Sequence, residues 1–381
     1  MPALQFMPWC RIDKTYFVGD VGLIPFHRDR PAEGLDELTT LKVRTILSSY
    51  KDLDGHPVRE AALVQYGTKS PLADLTDGEL ELTREHVQLA CFSALAKREY
   101  FNQLGPYCNT DCFILYGQRF DDLAFVAIRS RRREGRTIDG RPLADMVFST
   151  PVHASTVRQV SLDETLLAAL LAFRKDTSDE EWSRWQNAIA CFNQANTDND
   201  SIQYQVEWVL LASAFEHLVA ARSNAEDVAQ KFTDAVIPVR SLSTGSAKRQ
   251  SNRWSDKSKS LRYEWMREFY RIRGDFAHGR LKTQQPAVWI PLEHIVLATI
   301  AFPLLVRCVL KQKGKYQLRD EDEMQINAFE GFADEQFLSP PNGQTSSIDS
   351  VWGRALQKAR SDLLGRKLEE TLKAKGLLDN E

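Results

Sequence analysis

The sequence predicts an α+β protein: a mixed α/β domain at the N-terminus followed by an all-α helical bundle. Three observations carry that expectation. Short runs with aromatic and β-branched content mark the first part of the chain, among them Thr15 to Pro25, Phe113 to Tyr116 and Leu123 to Ile128. From Ser161 onward the apolar residues recur at helical spacing instead. Between Gln203 and Ala221 they cover more than one face, as in a helix at the centre of a bundle. A chain of 381 residues has room for two domains. The expected divisions are 1–155 for the α+β domain, 156–338 for the helical domain, and 339–381 for a linker and a terminal amphipathic helix.

Composition narrows the function classes. Apolar residues make up 43% and charged residues 27%, ordinary for a globular chain. A net charge of −3 means that any attraction for phosphate comes from a local patch. Cys10, Cys91, Cys191 and Cys308 are isolated in sequence, and Cys108 and Cys112 form a C-x3-C without a second pair nearby. A zinc site needs four ligands, so the cysteines read as reduced, buried thiols, and neither metal nor cofactor is expected. The N-terminus lacks a basic segment followed by an apolar core, so it does not read as a secretory signal. The most apolar window, Ile295 to Val306, is short of the roughly 20 residues of a membrane span. It contains Pro303 and closes at Arg307. It reads as a buried helix, and the protein as cytoplasmic with no membrane partner.

Taken in order, Thr15 to Pro25 reads as strands punctuated by glycine, and Leu41 to Tyr50 as a strand or a short helix. Asp77 to Phe101 has helical spacing at Val87, Ala90, Cys91 and Leu95, with Thr76, Asp77 or Thr83 as cap. Phe113 to Tyr116 and Leu123 to Ile128 suggest a hairpin turning at Asp121-Asp122, and Met146 to Ser149 a further strand. The arginines at 129, 131, 132, 133 and 136 read as a solvated hairpin tip rather than a phosphate contact. Asp163-Glu164 opens a leucine-rich helix through Phe173. Ser178 to Glu181 supplies a cap and first-turn acids for a helix through Trp182, Trp185, Ile189 and Phe192. An Asn/Asp-rich break follows, and then the apolar helix with Trp208, Leu211, Phe215 and Leu218 on one stripe.

Arg240 to Ser260 is serine-rich and lacks apolar periodicity, so it reads as a flexible segment. Its cations Arg240, Lys248, Arg249, Arg253, Lys257 and Lys259 face one acid, Asp256, and are candidates for an RNA clamp. Leu292 to Lys313 reads as a long buried helix, and Asp320 to Phe337 as acidic and partly helical. Leu356, Leu363, Leu364 and Leu368 give the last helix an apolar stripe for the bundle or for a partner chain.

The chemistry gathers at Tyr270-Arg-Ile-Arg-Gly-Asp-Phe-Ala-His-Gly-Arg280, where Arg273 and His278 form an R-x4-H pattern directly after Trp265, Phe269 and Tyr270. These two residue types suffice for RNA cleavage. The RNA supplies its own nucleophile, the 2′-hydroxyl; a histidine moves the proton and an arginine holds the scissile phosphate. On a straight helix, residues five apart differ by about 140° whereas residues seven apart nearly coincide. Arg271 would then share the face of His278. A break at Gly274-Asp275, with Asp275 as a cap, would let Arg273 converge on His278. Arg273 is ranked first, with Arg271 and Asp275 in support.

With the apolar helix Trp208 to Leu218 and its embedded Glu216, this stretch resembles the HEPN superfamily, most closely its ApeA-like branch. The shared pattern is an apolar helix with a Glu, then a tyrosine, an arginine, a small polar pair and His-Gly, over about residues 200–310. The resemblance implies a HEPN-type bundle and a metal-independent endoribonuclease in antiviral, abortive-infection defence. It also implies a homodimer that joins two motifs in one cleft, with RNA as substrate. The N-terminal domain would sense a trigger or a partner protein. The alternative is a non-catalytic HEPN module that binds RNA or serves as an assembly scaffold. Glu216 reads as an interior or dimer-seam polar group. His217 reads as structural, and His153 and His294 show no partner pattern. HEPN toxins silenced by nucleotide transfer carry a tyrosine two positions after the motif histidine. Arg280 stands there instead and adds a cation. From Arg240 to Lys282, 12 Lys or Arg face 4 Asp or Glu.

Overall fold

The computed structural model describes residues 3–30, 34–102, 107–120, 125–132, 134–155, 159–222, 224–254, 256–277, 287–338 and 350–375; strands dominate the early part and helices the rest. The fold is mixed α+β in the expected order. The chain divides into two units. One comprises Met1–Arg98, Pro106–Leu171 and Asn196–Asp200; the other comprises Glu99–Gly105, Ala172–Ala195 and Ser201–Glu381.

The first unit holds strands β1 (Ala3–Met7), β2 (Tyr16–Val18) and β3 (Val21–His27), helix α1 (Glu37–Leu47), β4 (Tyr50–Lys51), β5 (Glu60–Tyr66) and helix α2 (Asp77–Leu95). After these come β6 (Tyr116–Phe120), β7 (Phe125–Arg132), β8 (Gly135–Pro142), β9 (Phe148–Ser149) and the short α3 (Val152–Ser155). Seven strands form an antiparallel sheet in the order β2-β3-β5-β1-β6-β7-β8. Its centre is β1, buried at every position because both faces are covered. Phe6 stands opposite Leu63 on one side and Tyr116 on the other, and with Val43, Ile46 and Tyr50 it fills the core beneath α1. Tyr50 and Phe148, in register on the parallel pair β4–β9, stack with centroids 4.7 Å apart.

Details depart from expectation where local turns intervene. Leu41 to Tyr50, open between strand and helix, is both: α1 ends at Leu47 and β4 begins at Tyr50. Thr76 is the cap of α2; its hydroxyl accepts from the Glu79 amide at 3.3 Å while the Glu79 carboxylate accepts from the Thr76 amide at 2.9 Å. The strand expected at 113–116 is instead a 3-10 turn, Thr110–Phe113, and β6 starts at Tyr116. The turn at Asp121-Asp122 lies outside the described residues. Arg131 pairs with Arg136 at the tip of the β7–β8 hairpin.

Helix α4 (Glu164–Asp176) leads to the second unit, which contains α5 (Asp179–Ala195), α6 (Tyr204–Val219), α7 (Ala225–Ala235), α8 (Leu261–Ala277), α9 (Pro291–Gln312), α10 (Asp320–Ala333) and α11 (Val351–Ala374). Its core is aromatic. Phe192 of α5 stacks on Phe302 of α9 at 4.7 Å, and Trp208 of α6 on Phe269 of α8 at 5.2 Å. Helix α9, at 22 residues, lies one residue from the long helix expected at 292–313, and by length and composition alone it could cross a membrane. Its apolar window is 78% buried inside the structure, as a core helix would be. On α11 the leucine stripe divides: Leu363 is buried with Trp352 and Ala359, while Leu364 and Leu368 are exposed.

The segment 240–260 is tied down rather than free. Thr244 and Gly245 amides donate to the carbonyls of Lys259 and Lys257 at 2.9 and 3.0 Å, and Leu261 to Leu242 at 2.8 Å, so the loop closes on itself. The amides of Lys248 and Arg249 donate to Asp334 at 3.0 and 2.9 Å. Composition missed this because two side chains anchor the whole loop. Trp254 is buried against Trp289, and Arg249 forms a buried pair with Glu293 at 2.7 Å. Two further buried pairs, Arg262–Glu330 at 2.6 Å and Arg307–Asp322 at 3.3 Å, link α8 and α9 to α10.

Candidate active site

Helices α6 and α8 bring the candidate residues together. Their relative register is fixed by Trp208, whose indole nitrogen donates to the Phe269 carbonyl at 2.9 Å. At the next residue of α8, the Tyr270 hydroxyl donates to Glu216 Oε2 at 2.5 Å. The same oxygen lies 3.6 Å from Arg273 Nη2. The Arg273 guanidinium carbon is 5.4 Å from the Tyr270 ring centre, within cation–π range. Glu216, Tyr270 and Arg273 therefore form one constellation. Glu216 lies between an arginine and a phenol, neither wholly interior nor solvated, with 19% of its side chain exposed.

The expected break at Gly274-Asp275 is absent. Helix α8 runs uninterrupted from Leu261 to Ala277. A lone glycine costs a helix about 1 kcal/mol, and here the contacts on both sides outweigh it. Phe276 meets Tyr204 and Trp208 edge-on at 6.0 and 5.3 Å, and Arg273 is held by Glu216. Asp275 is consequently no cap. It sits one turn from Arg271, at 3.9 Å. On an unbroken helix Arg271 and Arg273 point about 160° apart, so the break on which the preference for Arg273 over Arg271 as partner of His278 depended is not there; it is the contact with Glu216, which Arg273 makes, that favours Arg273. His278 and Arg280 lie outside the described residues.

The expected RNA-clamp cations separate into two sets. Arg249 is buried: Nη1 donates to the Val288 carbonyl at 2.7 Å, and Nη2 to Glu293 and to the Glu335 carbonyl. It holds the fold and presents no face to a ligand. Lys248 is exposed but ion-paired with Glu335, and the Lys259 ammonium rests 4.7 Å from the Tyr263 ring centre. Lys257 and Arg253 are exposed, and among the described residues neither forms an ion pair.

Several partnerships had no signal in the sequence. His294 is wholly buried among Trp208, Trp265, Phe269 and Trp289. Its Nε2 lies 3.1 Å from Glu268 Oε1, and burial pushes its pKa below the ordinary value. Glu268 also accepts from the amides of Val288 and Trp289, at 2.9 and 3.3 Å. His153 meets Asp111 at 3.2 Å. In the first unit the cysteines are not isolated: the free thiols of Cys112 and Cys10 are in hydrogen-bond contact, and Cys91 and Cys108 lie near Cys112. Burial pushes Cys91, Cys108 and Cys112 up, which holds them as thiols. Among the described residues, one group of three metal-capable side chains converges, Asp52, Asp54 and His56. It is a surface turn in which Asp52 accepts from the amides of the other two at 3.0 and 2.9 Å.

No family model matches the chain, and comparison with curated proteins and with solved structures likewise finds no significant match.

Proposed function

We propose that the protein is a metal-independent endoribonuclease of HEPN type that cleaves RNA by 2′-hydroxyl attack, with Arg273 and His278 as its working pair. The observation that carries this reading is the Glu216–Tyr270–Arg273 constellation, one turn of sequence ahead of His278. Glu216 orients the guanidinium through one edge and Tyr270 supports it from below. The remaining donors of Arg273 bind the scissile phosphate in two places and stabilise the charge that grows on it. His278 accepts the 2′-hydroxyl proton, and a second histidine, from the other protomer of a homodimer, protonates the 5′-oxygen as it leaves. The products are a 2′,3′-cyclic phosphate and a 5′-hydroxyl. RNA brings its own nucleophile, so this mechanism calls for no metal or cofactor. A role in cytoplasmic antiviral defence, with the N-terminal unit as sensor, rests on the resemblance of the motif and its flanking helices to that superfamily.

Cleavage of total RNA in excess EDTA tests the reading, comparing the unaltered chain with Arg273→Ala and His278→Ala. The expected loss is at least about a hundredfold for each variant. Equal cleavage by all three sinks the mechanism. A second reading, a non-catalytic RNA-binding or scaffold module, is favoured by the exposed Leu364 and Leu368 on α11. It predicts RNA retention without cut ends.

A further inference from the structure

The arginines around the β7–β8 turn form a concentrated charge that the candidate active site does not use. Between Phe125 and Pro142 stand six arginines and two acids, Glu134 and Asp139. Sequence alone makes them a solvated tip. The register of the hairpin sorts them. Cross-strand pairs run from Phe125 opposite Pro142 to Arg132 opposite Gly135. Strand β7 pairs with β6 only at Val126 and Ala127, so among the described residues β8 is its sole strand partner from Ile128 to Arg132. Strand β8 is the edge of the sheet. This end of the hairpin is therefore a two-stranded ribbon of five residue pairs, about 14 Å long at the usual strand rise.

Opposed residues of an antiparallel pair lie on the same face, and successive residues alternate. Arg129, Arg131, Arg136 and Ile138 thus share one face of the ribbon. Ile128, Ser130, Arg132, Gly135, Thr137 and Asp139 share the other. One face carries three cations and no acid. The one acid of the paired strands is on the opposite face, and Glu134 is in the turn. Arg133 lies outside the described residues. Arg131 stands directly opposite Arg136. Like charges in that relation are destabilising, and a pair of opposite sign would serve the hairpin better. A polyanion on this face removes the cost. Arg129 and Arg131, two positions apart on one strand, are spaced by about 7 Å, close to the interval between successive phosphates of a nucleic-acid strand.

We propose that this ribbon is a docking surface for duplex DNA, with its three-arginine face turned into the major groove. Two features select that partner. No aromatic residue stands in 128–132 or 135–139, so the surface lacks the stacking platform by which proteins hold single strands. A duplex offers phosphates instead. The B-form major groove, about 12 Å wide, admits a two-stranded ribbon, whereas the A-form groove of duplex RNA is too narrow for side chains to read. In the B-form groove arginine meets phosphate oxygens and the acceptor edge of guanine. The proposal goes beyond the ribonuclease reading and does not depend on it: it gives the N-terminal unit a ligand of its own.

Fluorescence anisotropy of a short labelled DNA duplex, titrated with the full chain in EDTA, tests it. Affinity should fall with salt along a log–log slope of about −2.7, for about three neutralised phosphates. Arg131→Ala should flatten that slope by about one. Replacing Arg129, Arg131 and Arg136 together by alanine should weaken duplex DNA at least about tenfold. The matching triple lysine chain keeps the charges and should retain most of the binding, which separates a lost contact from a disturbed fold. The loss in the triple alanine chain should be confined to duplex DNA when single-stranded DNA, duplex RNA and phosphatidylserine vesicles are titrated in the same way. His278→Ala should bind duplex DNA as the unaltered chain does, whether or not that chain cuts RNA. No binding of duplex DNA, binding indifferent to the triple alanine change, an equal loss in the lysine chain, or an equal loss for any of the other three probes overturns the proposal.

Discussion

The Tyr270 hydroxyl donates to Glu216 at 2.5 Å, and that same carboxylate oxygen faces Arg273 at 3.6 Å. The tyrosine thus does more than fill space. It holds the carboxylate that in turn sets the direction of the arginine. Tyr270→Phe keeps the ring beneath the guanidinium and removes only the hydrogen bond. Cleavage should fall by about tenfold, and unfolding stability by about 1 kcal/mol, the net worth of a typical hydrogen bond. Single-turnover cleavage and urea unfolding measure the two separately. Unchanged cleavage would show that Glu216 orients Arg273 without help from the phenol.

A second prediction concerns the loop that precedes α8. Arg249 and Glu293 are buried as a pair at 2.7 Å. Arg249→Ala leaves Glu293 charged and without its partner, and Glu293→Ala does the same to Arg249. Either should cost about 3–5 kcal/mol, whereas replacing both with apolar residues of similar volume should cost far less. A double-mutant cycle on denaturation midpoints reads the coupling, and additive costs would contradict it.

That pair also explains what the sequence could and could not disclose. The α+β order, the aromatic core of α6 and the cap of α2, narrowed to Thr76, Asp77 or Thr83, were legible because each is written in periodicity or in residues a few positions apart. Four features were not legible. Glu216 read as an interior or dimer-seam group, and its contact with Arg273 joins residues 57 positions apart. Segment 240–260 looked flexible because its anchors, Asp334, Glu330 and Glu293, lie far along the chain. The kink at Gly274-Asp275 was a local inference, and tertiary contacts of Phe276 and Arg273 override it. The Glu268–His294 bond spans 26 positions with an intervening segment, a separation to which no spacing rule applies.

His294 gives a prediction in pH. The folded-state pKa is depressed below the ordinary 6.5 because the ring is buried among aromatic side chains, although Glu268 opposes the shift. Above about pH 6.5 the histidine is neutral whether the chain is folded or not, so it adds no pH dependence there. Below that value the unfolded chain takes up a proton that the folded chain refuses. Stability should therefore fall with acidification, with a slope approaching 1.4 kcal/mol per pH unit, until the folded-state pKa is reached. Carboxylates titrate lower and add slopes of their own, Glu264 with the opposite sign since burial raises it. The comparison that isolates the histidine is His294→Leu, which removes the titrating ring while Glu268 retains the amides of Val288 and Trp289 as donors. Unfolding free energies of the two chains should run parallel above about pH 7 and converge as pH falls from about 6.5 toward 5. A constant difference across that range would mean that Glu268 holds the imidazole charged in the folded state.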